Sequence, residues 1–155
     1  MSTTARSSGT TMVPSTAGID PRGPRFAATI TALVLAAALV RAPSPATVAL
    51  LAVQTVVFGI GAGVGVQHTP YSWLFRTFVR PRLGPPAELE DPAPPRFAQT
   101  VGLFFAVVAL AGYLTGADLL GAVATGLALA AAFLNAAFDL CLGCEMYLLG
   151  RRVLS

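Results

Sequence analysis

The 155-residue chain contains no lysine, a single histidine, two cysteines and one tryptophan, and only 11% of its residues are charged. Each scarcity excludes something. All ten basic residues are arginine and none gather in a tract, so no nucleic-acid partner is expected. One histidine and two cysteines cannot supply the paired axial histidines of a membrane b-type haem or the four thiolates of an iron–sulfur cluster within one copy, so no cofactor is expected. Residues 1–18 hold no apolar core of a secretory signal; rich in Ser and Thr, they are expected to be a disordered cytoplasmic tail. What is abundant is apolar: 55% of residues are hydrophobic, there are fifteen glycines, and the mean hydropathy is +0.71, a membrane protein's composition.

Four uncharged runs are candidate spans: residues 26–40, 46–66, 97–117 and 119–138. The first has fifteen residues and would cover only about 23 Å as a helix, so Arg25 and Arg41 are expected to bury their stems and reach the interface. In the second, Gly59, Gly61, Gly63 and Gly65 form small-residue faces that suit close helix approach, within the chain or in a homodimer. Residues 68–80 are too interrupted by arginine to span and predict an interfacial helix, with Thr69 as cap, Pro70 in the first position, and Tyr71 and Trp73 as interface anchors. Residues 84–95 hold five prolines and three of the seven acids and predict an extended polar linker. An even number of spans puts nine of the ten arginines on one side, leaving Arg41 opposite, so the positive-inside rule places both termini in the cytoplasm.

The sequence also repeats itself. Asp20-Pro-Arg-Gly-Pro-Arg-Phe-Ala-Ala-Thr29 matches Asp91-Pro-Ala-Pro-Pro-Arg-Phe-Ala-Gln-Thr100 at seven of ten positions, an offset of 71. The predicted fold class is therefore an all-α integral membrane protein of four transmembrane helices, arranged as two parallel tandem repeats of two spans plus a cytoplasmic interfacial helix. After the tail, residues 19–155 make one membrane domain, with repeat one at 20–83, a linker at 84–90 and repeat two at 91–154.

The only cysteines form Cys141-Leu142-Gly143-Cys144, just after the last apolar run. Two intervening residues let a thiol pair close into a disulfide with little backbone movement, a spacing suited to thiol–disulfide exchange or sulfur transfer. The offset aligns Cys141 with Pro70 and so predicts that Cys141 opens a helix reaching about Leu149, its thiolate held by free N–H groups and the helix dipole. Cys141 is then the candidate nucleophile and Cys144 the resolving thiol. In a reducing cytoplasm the pair is expected to rest as a dithiol. The alignment also sets His68 opposite Asp139, where His68 could take the Cys141 proton and Asp139 orient the imidazole. Glu145, beside Cys144, is a candidate proton shuttle. Gln54 and Asn135 lie within spans, where a polar side chain usually bonds a neighbouring helix.

The repeated Asp-Pro-x-x-Pro-Arg-Phe-Ala boxes, the His68-x-Pro-Tyr-x-Trp-Leu-Phe75 segment and the Asn135-to-Tyr147 stretch around the cysteines resemble an uncharacterised family of small bacterial, mainly actinobacterial, membrane proteins, a domain of unknown function. Its members are often encoded near thioredoxin-like proteins and thiosulfate sulfurtransferases. The resemblance implies thiol-redox or sulfur work at the bacterial inner membrane and supplies no catalytic residues of its own. Three further readings stand beside a thiol relay: a passive anchor or assembly factor for a soluble enzyme, a path for a small sulfur species, and a metal site built from both cysteines with His68, Asp139 or a second subunit.

Overall fold

The computed structural model describes residues 18–155, so the expected tail lies outside the described residues apart from Gly18. Among the described residues the chain is helical without strands. It forms α1 (Arg22–Val40), α2 (Pro45–Gly63), α3 (Pro70–Leu74), α4 (Ala93–Leu114), α5 (Asp118–Phe138) and α6 (Leu142–Leu154). The four long ones, of 19, 19, 22 and 21 residues, have the length and apolarity to cross a membrane.

Local chemistry moves several boundaries from where the apolar runs put them. Helix α1 begins at Arg22, four residues before the expected run, because the Asp20 carboxylate accepts both the Arg22 backbone N–H (3.0 Å) and its guanidinium (2.8 Å) and sets the first turn. Helix α4 likewise starts inside the expected linker. The Asp91 carboxylate accepts the Ala93 N–H at 2.8 Å, and Pro94 and Pro95 occupy first-turn positions, where a missing N–H costs nothing. At the start of α2, Ser44 caps the helix through Thr47 N–H and Pro45 takes the first position. Helix α2 stops at Gly63, short of the expected Val66, and Gly65 then leaves helical space at φ +133°, a conformation glycine adopts without strain.

The expected single interfacial helix over 68–80 is broken. It consists of a 3-10 turn at Val66–His68, then α3, a π-helical turn Phe75–Val79 and a 3-10 turn Arg80–Arg82. Thr69 caps α3 through Ser72 N–H, with Pro70 in its first position. Trp73 is exposed as an anchor would be, whereas Tyr71 is turned inward and buried.

Helix α1 packs on α2 and α5, and α4 packs on α2 and α5, so α1 and α4 occupy one diagonal of a four-helix bundle. Short connections, residues 41–44 and 115–117, make each successive pair antiparallel. Ile19 and Glu90 exchange backbone hydrogen bonds of 2.9 Å in both directions, which brings the starts of α1 and α4 side by side. The bundle centre joins Leu35 and Leu51, both fully buried, to Ala38, Ala109, Ala124 and Ala128. Lipid is as apolar as these side chains, so their cohesion comes from dispersion contacts at close approach. Glycine makes that approach possible at particular places: a Cβ on Gly61 would meet Gln99 Oε1 at 2.6 Å and one on Gly102 would meet Phe58 at 2.7 Å, while Gly59 and Gly63 face open space. Helix α3 rests on α1 and α6 on α4.

Candidate functional site

Helix α5 ends in a non-glycine left-handed turn, Asp139 at φ 55°, which redirects the chain across the end of the bundle. Leu140 follows outside any helix, Cys141 is extended, and α6 begins at Leu142. Cys141 is therefore the residue just before the helix, not its first helical residue, and its Sγ accepts the Cys144 backbone N–H at 3.3 Å. The helix runs on to Leu154, past the expected Leu149. The cap corrects the alignment by one position. Thr69 accepts from Ser72 N–H as Cys141 accepts from Cys144 N–H, an offset of 72. A helix cap requires an acceptor and an extended backbone; Leu140 offers no acceptor, so the next residue takes the role.

Cys141 and Cys144 are joined by a disulfide, their Cα atoms 5.2 Å apart. One helical turn from the cap brings the two sulfurs within bonding reach, the geometry that a pair expected to cycle between dithiol and disulfide requires. Both sulfur-bearing residues are half-buried. They line a groove of about 340 Å³ together with Asp139 and Glu145 from their own segment and Glu90 and Asp91 from the linker. The structure therefore brings four of the five candidate residues into one groove. His68 is the exception. It is exposed in the 3-10 turn after α2 and does not line the groove, so the expected pairing of His68 with Cys141 and Asp139 is not formed. Among the described residues no cluster of three or more His, Cys, Asp or Glu side chains is arranged to hold a metal ion.

Gly143 sets the position of α6. A Cβ there would lie 2.5 Å from Ala98 Cα, so the turn carrying the cysteines sits directly on the α4 backbone. Phe97 of α4 stacks obliquely on Tyr147 one turn further, with ring centroids 5.8 Å apart. Arg96 donates to Ala62 O (2.8 Å) and Gly63 O (2.7 Å), and Arg25 to Ala136 O (3.1 Å). Each guanidinium thus satisfies carbonyls left over at the negative end of another helix.

A second cavity, of about 100 Å³, lies on the bundle side of the cysteines and is also lined by Cys141, though not by Cys144. Its polar wall, Thr31, Gln99 and Asn135, was not marked out by the sequence as a site. The available signal was the repeat itself, because Gln99 stands where the first unit has Ala28. Thr31 belongs to a buried chain in which Tyr71 Oη donates to Gln54 Oε1 (2.9 Å) and Gln54 Nε2 to Thr31 Oγ1 (3.4 Å), so Gln54 bonds neighbouring helices as expected. Burial raises the Tyr71 pKa, which keeps the phenol a donor.

Residues 19–152 match the sequence model of a family described as a domain of unknown function (DUF4395). No curated protein and no solved structure matches the chain.

Proposed function

The chain belongs to the DUF4395 family, and from that premise we propose that it is a membrane-embedded thiol-redox or sulfur-relay protein whose Cys141/Cys144 pair exchanges with a thioredoxin-like or sulfurtransferase partner. The observation that carries the reading is the disulfide in an open groove with Cys141 at the helix cap. A partner thiolate attacks Cys141 Sγ; the S–S bond breaks, a mixed disulfide forms, and Cys144 leaves as thiolate. The partner's second thiolate then attacks its own bridged sulfur and releases Cys141. Two electrons have passed to the pair and the partner is oxidised; the reverse path reduces a partner disulfide. The Cys141 thiolate is held by the Cys144 N–H and the start of α6. Asp139 and Glu145 are proton acceptors at the same groove. For sulfur transfer, Cys141 takes the sulfane sulfur of a partner persulfide, and Cys144 expels it as hydrosulfide while closing the disulfide.

The pair sits at the end of the bundle that carries the linker and eight of the nine arginines among the described residues, which supports a cytoplasmic face of the bacterial inner membrane with both termini inside. Two tandem repeats in one membrane domain are supported by the equivalence of helix contacts: α1 on α5 answers to α4 on α2, and α1 under α3 to α4 under α6. Ile19 and Glu90 are 71 apart and pair with each other, as equivalent residues do across a two-fold axis.

Trapping tests the relay. With Cys144→Ser activated beforehand as a Cys141–thionitrobenzoate mixed disulfide, a thioredoxin-type partner lacking its second thiol is expected to displace thionitrobenzoate and accumulate as a mixed disulfide on Cys141, and Cys141→Ser treated alike to give far less. A passive anchor would retain its partner after both exchanges and trap nothing.

A further inference from the structure

We propose that the open cavity between the start of α1 and the turn after α3 binds the phosphodiester head group of an anionic phospholipid, held by Arg76 and Arg80. Neither cysteine lines this cavity, so the site stands apart from the thiol-exchange reading.

The backbone sets up the arginine pair. From Phe75 to Val79 the helix widens into a π-turn, and Arg80 N–H bonds Phe75 O, five residues back. Such turns are rare and recur at functional sites. The wider turn brings residues four apart nearly into line, and both Arg76 and Arg80 line one cavity of about 290 Å³. Phe75, buried and stacked on Phe26 with ring centroids 5.7 Å apart, fixes the turn against α1. Among the described residues neither arginine has a carboxylate within ion-pair distance. The cavity wall has one acid among those residues, Asp20, and Arg22 already donates to both of its oxygens, at 3.0 and 2.8 Å. Two exposed guanidiniums thus share one space with their charge unanswered, and phosphodiester oxygens accept guanidinium hydrogen bonds well. The space equals the volume of roughly ten waters, enough for a phosphate with a glycerol head.

The surroundings favour a lipid over a free phosphate ion. The cavity lies at the edge of the spans, since Asp20 just precedes α1 and the lining Val66 and Gln67 follow α2. Its wall continues into Ile19 and Leu89, apolar surface that suits the glycerol of a lipid and does nothing for a bare ion. On the same segment Trp73 and Phe78 are 54% and 55% exposed and pack edge to face at 6.1 Å, a ring pair placed as membrane-interface aromatics are. The second half lacks the arginine pair: the 71-residue offset sets Tyr147 in the place of Arg76, and the disulfide groove carries carboxylates. Anionic head groups are therefore drawn to one half and kept from the cysteines.

Trp73 is the chain's only tryptophan, so its fluorescence reports on this segment. The full chain is reconstituted in bilayers of equal parts phosphatidylcholine and phosphatidylglycerol, with brominated acyl chains, which quench tryptophan, on one lipid or the other. Brominated phosphatidylglycerol is expected to quench as a lipid held about fivefold more tightly than phosphatidylcholine. Arg76→Gln with Arg80→Gln should bring the two lipids to parity at unchanged helical content by circular dichroism. Arg151→Gln with Arg152→Gln removes the same charge from α6 and should leave the preference intact. Equal quenching by the two lipids in the wild type overturns the proposal, as does a preference that survives the Arg76 and Arg80 exchanges. A preference lost equally in the α6 variant overturns it too, because overall charge then accounts for the effect. Loss of the preference on adding inorganic phosphate at constant ionic strength assigns the cavity to a free anion and overturns the lipid. If the Arg76 and Arg80 double variant misfolds, Arg76→Gln alone should lower the preference to about twofold, and an unchanged preference there overturns the proposal.

Discussion

Thr69-Pro-Tyr-Ser72 and Cys141-Leu-Gly-Cys144 open α3 and α6 in the same way, yet only the second pair can do redox chemistry. In both, the cap side chain accepts the N–H three residues on. In both, the two side chains meet: Thr69 Oγ1 donates to Ser72 Oγ at 3.0 Å, where Cys141 and Cys144 form a bond. The grooves beside them share equivalent walls, but Ser72 faces one with Arg76, Arg80 and Asp20, whereas the cysteines face Asp139, Glu145, Glu90 and Asp91. The hydroxyl pair shows that the cap geometry needs no sulfur. Capping alone therefore does not call for cysteine at either position.

Converting one site into the other is the sharpest test. Cys141→Thr with Cys144→Ser should leave the helical content unchanged by circular dichroism and reduce partner exchange to background, a loss of at least about a hundredfold. Unfolding of this variant would mean that the pair is a staple and break the comparison. In the opposite direction, Thr69→Cys with Ser72→Cys should close into a second disulfide; free-thiol titration after mild oxidation is expected to find none, and two free thiols would show that the caps differ.

A smaller effect separates the packing of the two turns. Tyr71 fits against Ala27, but the equivalent pair in the second half, Gly143 against Ala98, leaves no room for a Cβ. Gly143→Ala should cost about 1–3 kcal/mol by overpacking, read as a lower thermal midpoint. Among the arginine clamps, Arg96→Ala loses two hydrogen bonds and Arg25→Ala one, so Arg96→Ala should be the more damaging, by about 1 kcal/mol or less. The smallest effect is expected at Asp20, whose pKa is lowered chiefly by the Arg22 side-chain hydrogen bond, against the opposing effect of burial. A depressed folded pKa means that its contribution is present above the ordinary carboxylate range and is lost as pH falls through the folded value. Stability differences between wild type and Asp20→Asn should accordingly be present at pH 7 and shrink as the solution is acidified below about pH 4.

The four spans, the Thr69 cap and the placement of the cysteines at a helix start were legible because each rests on a local rule: apolar length, an Oγ acceptor before proline, and a break after an apolar run. The one-residue slip at Cys141 was legible only in part: Leu140, which stands in Thr69's place, visibly offers no cap, but the left-handed turn at Asp139 that carries the chain past it has no glycine to announce it. The groove was not legible, because Glu90 and Asp91 arrive from the linker through the Ile19 pairing, a contact between segments 71 residues apart. His68 failed for the same reason: equal rank along two halves of a chain does not bring two side chains to one place.

Helices α1 and α2 each pack more extensively on a helix of the second half than on one another. Residues 84–85 and 87–89, between the halves, are exposed. A nick there would sever the polypeptide without parting the molecule, and the two fragments, co-expressed as separate chains, would be obligate partners: neither buries its own inner faces alone, and together they restore the groove in which linker carboxylates meet the disulfide.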